Sequence, residues 1–134
     1  MTGLAIALFA FIFWLAPEAP ELSYAPIDVG GGSIAVPAQT NTNTVTFSAD
    51  LKKAGFVTIH ESVGPAPGEI IGTSSYLPEG ETVDAIIPLS TAMVPGLTYV
   101  ALLHVDDGDG VYDTLKDMPV KTDGSVVRVD FKTE

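Results

Sequence analysis

The chain has 134 residues, a formal net charge of −11, six lysines and arginines in all, and no cysteine. That length supports one domain with a short appendage. An acidic surface repels nucleic acid and anionic lipid head groups, so neither is expected as a partner, and without thiols there is no disulfide, thiolate metal site or cysteine nucleophile.

The first segment, 1–16, is dominated by Gly3–Ala16 (GLAIALFAFIFWLA), fourteen residues whose only polar side-chain atom is the indole nitrogen of Trp14. It is shorter than the roughly 20 residues of a spanning helix and suits the apolar core of an export signal. No Lys or Arg precedes it, however, and no clean small-x-small cleavage site follows. Three readings stay open: an export signal, an uncleaved membrane anchor, or a helix packed among copies in a filament. In the last two, Leu4, Ile6, Leu8, Phe9, Phe11, Ile12, Phe13, Trp14 and Leu15 meet lipid or neighbouring subunits. Residues 17–43 carry four prolines, the triplet Gly30–Gly32 and the polar run starting at Gln39, the composition of a spacer that holds a domain off a membrane or wall. Ser33–Val36 is a candidate short edge strand.

The body, 44–134, reads as a succession of strands. Thr44–Ser48 and Gly55–Glu61 come first, with one helical turn expected at Asp50–Ala54 between them. Glu69–Tyr76 is the third strand. In the fourth, Glu81–Leu89, Val83, Ala85, Ile87 and Leu89 are expected on one inward face. The fifth, Leu97–Val105, is apolar on both faces, as a central strand buried on both sides would be. Met118–Thr122 and Ser125–Phe131 form a hairpin closed by Asp123-Gly124, with Val127, Val129 and Phe131 inward. Pro67-Gly68, Pro78-Glu79-Gly80 and Pro95-Gly96 punctuate the strands. The class expected is all-β: an immunoglobulin-like antiparallel β-sandwich of about seven strands, preceded by an apolar helix and a spacer.

Three stretches in order, GFVTIHES at Gly55–Ser62, GEIIGTSSYLPEG at Gly68–Gly80 and LTYVALLHVDDGDGVYD at Leu97–Asp113, resemble an uncharacterised domain family common in secreted and surface proteins of halophilic archaea and found in some bacteria. The resemblance implies an extracellular, immunoglobulin-like sandwich, often attached to larger surface proteins. It implies no reaction or ligand.

The candidate site follows the fifth strand. Asp106, Asp107, Asp109 and Asp113 fall within eight positions, with Gly108 and Gly110 interleaved. Carboxylates so close repel unless a cation or open water screens them, and the glycines allow the loop to fold back. The loop resembles the calcium pattern D-x-D-G-D-G-x-x-D with Val105 in the first place, so Asp106 would have to shift in. Asp107, Asp109, Asp113, the Val111 carbonyl and waters would complete an oxygen shell of extracellular, weak type. Asp117 and Glu61 join it if the fold brings them near. The plain alternative is a solvated acidic turn with no ion.

His60 and His104, the two histidines, each precede a carboxylate in an apolar strand. Two imidazoles with a thioether from Met93 or Met118 suit copper, but without cysteine no blue-copper site is available. The favoured alternative is a pair of structural histidines bonded to turn backbone or carboxylates. A set drawn from Ser74, His104 and Asp106 lacks the final glycine of a nucleophile elbow, so no enzyme is expected. The function expected is an exported cell-surface structural or adhesive module whose acidic loop takes calcium. The alternatives are a filament subunit joined through residues 3–16 to copies of itself, and a small histidine-based metal-binding module. Other surface proteins are the remaining partners to consider.

Overall fold

Two long runs of β-branched and aromatic residues, Gly55–Val63 and Thr98–Val105, lie side by side at the centre of the molecule. The computed structural model describes residues 26–134, and over them the chain is all β. The ten strands are β1 Ile27–Asp28, β2 Gly32–Ala35, β3 Thr44–Leu51, β4 Gly55–Val63, β5 Ala66–Thr73, β6 Gly80–Pro88, β7 Thr98–Val105, β8 Val120–Thr122, β9 Ser125–Val126 and β10 Arg128–Lys132. They form three sheets, ordered β2-β3-β6, β10-β7-β4-β5 and β1-β8-β9. The expected apolar helix at 1–16, with its membrane or assembly residues, lies outside the described residues.

The core lies between the first two sheets. Val45, Phe47, Ala49 and Leu51 of β3 and Ile87 of β6 meet Val57, Ile59, Tyr99, Ala101 and Leu103 of β4 and β7. Alternate residues of a strand face opposite sides, so these inward sets leave Phe56, Thr58 and His60, with Val100, Leu102 and His104, on the far face of the four-stranded sheet. That face is buried as well. The acidic loop and the small third sheet cover it.

Several expectations change. Among the described residues there are ten strands in three sheets rather than about seven in two, and β1 pairs with β8 in parallel. No helical turn forms at Asp50–Ala54: β3 continues to Leu51, 2% exposed, because Leu51 reaches the core only in extended register. The inward face of β6 shifts. Thr82 stands opposite Ala49 and Ala85 opposite Phe47, so Val83 and Asp84 together face Ser48. This bulge, with Asp84 at φ 55° and its N–H donating to Ser48 Oγ, turns Val83 outward to 67% exposure. The third strand begins three residues early, at Ala66, and admits Pro67 because β5 is an edge.

The last hairpin is shorter than expected. Asp123 and Gly124 both take positive φ and close it, but it ends at Val126. Val127 then donates to Val120 O while its carbonyl accepts from Leu103 N, and the chain crosses to pair with β7 as β10. The described part of the expected spacer belongs to the folded body: β1 and β2 come from it, and buried Gln39 bonds through its side chain to Pro37 O and to both backbone groups of Thr46. Gln39 O accepts from Glu134 N and Thr133 Oγ1, tying the two ends of the body together.

One glycine is demanded by the central pairing. A Cβ on Gly55 would stand 1.9 Å from the His104 carbonyl oxygen. That close approach sets β4 against β7 at the point where the acidic loop leaves the sheet.

Candidate functional site

The loop 106–117 is built from carboxylates that serve its own backbone. Asp106 accepts from Gly108 N and Gly110 N, Asp109 from Val111 N and Asp113 from Leu115 N. Such local bonds are the usual habit of Asp in turns. Gly108 and Gly110 take φ 115° and 74°, the values that fold the loop back. Asp117 sits beneath it, fully buried, its Oδ1 accepting from Asp107 N at 2.9 Å and its Oδ2 from Asp113 N at 2.6 Å.

As a result, one carboxylate oxygen from each of Asp106, Asp107, Asp109 and Asp117 lies within 4.8 Å of the others. Ligands at 2.3–2.6 Å from a calcium ion are at most about 5 Å apart, so the grouping is of the size one cation spans. The crowding appears in the titration of the pair at the tip. Asp107 is pushed above its ordinary value by desolvation and by the hydrogen bond and charge of Asp109. Asp109 is held below its own, chiefly because it accepts from Val111 N–H.

Of the residues expected here, Asp106, Asp107 and Asp109 come together, and Asp117 joins them. Asp113 does not belong to the grouping; it caps the turn that follows, with its carbonyl accepting from Lys116 N and Asp117 N. Val111 is 64% exposed. Glu61 pairs with Tyr99 at the opposite end of β4, six positions from Gly55, or about 20 Å along the strand.

The histidines share a face, four register positions apart: His60 is opposite Val100 and His104 opposite Phe56. A carbonyl only accepts, so the 2.9 Å bond to Gly68 O puts the proton of His60 on Nδ1 and leaves Nε2 to accept from Thr58 Oγ1. His104 likewise donates from Nδ1 to Asp117 O, at 2.8 Å. Burial lowers the pKa of both rings, against the raising effect of those backbone bonds, and the charge of His60 lowers that of His104 further. Met93 lies in the core, on the other side of the sheet from both imidazoles. Ser74 Oγ accepts from Val57 N and donates to Ser75 O, a strand-joining role.

Tyr112 escaped the reading of the sequence. Its ring meets His104 edge-on at 5.3 Å and Phe56 at 5.6 Å, which seats the acidic loop on the sheet. The sequence signal was the apolar content of both faces of β7, which announced a second covered face without saying what covers it. Between this face, the loop and the third sheet lies a cavity of about 500 Å³, bordered by His60, His104, Tyr112 and Arg128.

Comparison with known proteins places the chain as follows. Residues 32–133 match a family described as a domain of unknown function, DUF7282. Over 102 residues, 75% of this chain, it is 34% identical to cell surface glycoprotein 1 of Haloarcula hispanica and 35% identical to cell surface glycoprotein 2 of the same organism. The stretch amounts to 11% of each glycoprotein's length. No solved structure matches.

Proposed function

Because the chain belongs to the DUF7282 family, we propose that it is an exported module of the cell surface, structural or adhesive in role, carrying a cation-binding acidic loop. One observation carries this reading: the likeness to two surface glycoproteins extends over 102 residues, as many as the family match at 32–133 that takes in β2 to β10. A shared folded body supports a shared setting. We read its two facing sheets as immunoglobulin-like, with support from the orders β2-β3-β6 and β10-β7-β4-β5.

Calcium is the cation we favour at Asp106, Asp107, Asp109 and Asp117, because the donors are all carboxylate oxygens at a spacing that suits its long bonds. Bound there, it would offset the repulsion at the tip and stabilise the native loop by mass action. We read the module as a binding or packing element with no catalytic role. Labelling of intact cells with an antibody to the folded body tests the setting: surface label is expected, and label seen only after lysis would overturn it. Long fibres in negative-stain images of the purified chain would replace a tethered module with a filament subunit.

A further inference from the structure

Residues 26 and 134 lie at opposite ends of the central strand, and the strands next to them run along the line between those ends. Ile27 N donates to Pro119 O, and Pro119 is bridged to His104 near the end of β7. At the other end Lys132 stands opposite Thr98, where β7 begins, and Gly96 N donates to Thr133 O. β2 starts at Gly32, opposite Leu51 at the acidic-loop end of the body, and runs away from that end to Ala35. β10 runs the same way, from Arg128 opposite Leu102 to Lys132 opposite Thr98. The two courses meet in a parallel bridge between Gln39 and Thr133. There Gln39 O accepts from Thr133 Oγ1 at 3.2 Å and from Glu134 N at 3.0 Å.

This layout decides how the body meets a pull. Hydrogen bonds in an antiparallel pair lie perpendicular to the strands. A force that draws residue 26 away from residue 134 slides β2 along β3, across four register pairs, and β10 along β7, across five. Bonds loaded side by side share the force and fail together. Bonds loaded from one end fail a pair at a time. Ile34 of β2 and Phe131 of β10 are seated in the core, so sliding must also unpack them.

We propose that the body is a tension-bearing link, which carries load in shear through β2, β10 and the bridge between Gln39 and Thr133. The source of the load rests on the surface-module reading. The resistance itself is a property of the purified chain, so its failure and that of the cell-surface setting are separately visible.

Force-clamp measurements on single molecules of the full chain, held by tags at its two ends, test this against a second pulling geometry. The chain has no cysteine, so Val94→Cys, at a side chain 53% exposed, supplies one unique handle. Pulling between residue 94 and the C-terminal tag opens β10 from β7 starting at the pair Lys132 and Thr98. Forced unfolding reads the unfolding rate. At equal force the end-to-end lifetime should be longer by about tenfold or more, the equivalent of at least one further hydrogen bond broken in the limiting step. Residues 32–134 should come free in a single step. Thr133→Val, which removes the Oγ1 bond to Gln39 O, should shorten the end-to-end lifetime by about three- to tenfold. Equal lifetimes in the two geometries, or release of the edge strands one at a time under end-to-end load, would overturn the proposal. An unchanged lifetime in Thr133→Val would strike the bridge from the load path.

Discussion

Replacing Asp117 with Asn tests the acidic loop most directly, because Asp117 supports the loop and also contributes to the carboxylate grouping. Its two oxygens accept from Asp107 N and Asp113 N. An amide has one accepting oxygen and one donating NH2, so one of those backbone N–H groups must lose its partner. A hydrogen bond to a charged group is worth about 1.5–3 kcal/mol, and relief of repulsion with Asp106, Asp107 and Asp109 returns part of that. In chelator, the variant should therefore melt several degrees below the wild type. Calcium widens the gap. With a dissociation constant of about 10⁻⁴–10⁻³ M, typical of extracellular modules, roughly 10 mM calcium stabilises the wild type by about 1.4–2.7 kcal/mol. For a domain of this size that is a rise in Tm of about 6–15 °C. Differential scanning calorimetry at constant ionic strength should show this rise in the wild type and little of it in Asp117→Asn. Asp113→Asn, whose amide oxygen can still accept from Leu115 N, should keep it. A wild-type Tm that is the same in calcium and in chelator would remove the ion from the account. A full calcium response in Asp117→Asn would place the ion elsewhere.

Other outcomes follow from single contacts. Gly55→Ala drives a methyl to 1.9 Å from the His104 carbonyl and must part β4 from β7; a loss of about 3 kcal/mol or more is expected from urea unfolding, and an unchanged midpoint would refute the close approach. Gln39→Ala strips both backbone groups of Thr46 of their partners, for a loss of about 2–4 kcal/mol and faster amide exchange at Thr46; unaltered exchange there would mean that Gln39 does not anchor the segment. The pKa of His60 is lowered by burial, against the Gly68 hydrogen bond and with help from the Arg128 charge. The unfolded chain therefore takes up its proton first: stability from neutral His60 is complete above pH 6.5 and is lost as pH falls from there toward the folded pKa, with a slope of up to about 1.4 kcal/mol per pH unit. His60→Gln should flatten that slope; equal slopes in the two proteins would assign the acid sensitivity to other groups.

Much of this protein was legible in local pattern. β-Branched and aromatic runs announced β3 and β4, an apolar content on both faces announced β7, the Asp123-Gly124 pair announced its turn, and the crowded aspartates with two glycines announced the loop. These features depend on residues within a few positions of one another, and sequence displays such relations directly. What it left open depends on pairs far apart in the chain. A bulge opposite Ser48 turned Val83 outward, and the period-2 pattern of β6 alone gives no sign of that partner. Val127 sent the final strand to two different sheets, and Gln39 drew the end of a spacer-like stretch into the body.

The same division holds at the site. Composition and order were enough to determine a β-rich, acidic chain with a carboxylate loop after its most apolar strand, because burial pattern and charge are properties of the residues themselves. Only the tertiary structure decided that Asp117 replaces Asp113 in the grouping and that the two histidines share a face, four register positions apart. It alone set Tyr112 edge-on against His104, beside a cavity under the loop. Strand register and loop closure bring those groups together, and both are fixed by the packing of the whole core.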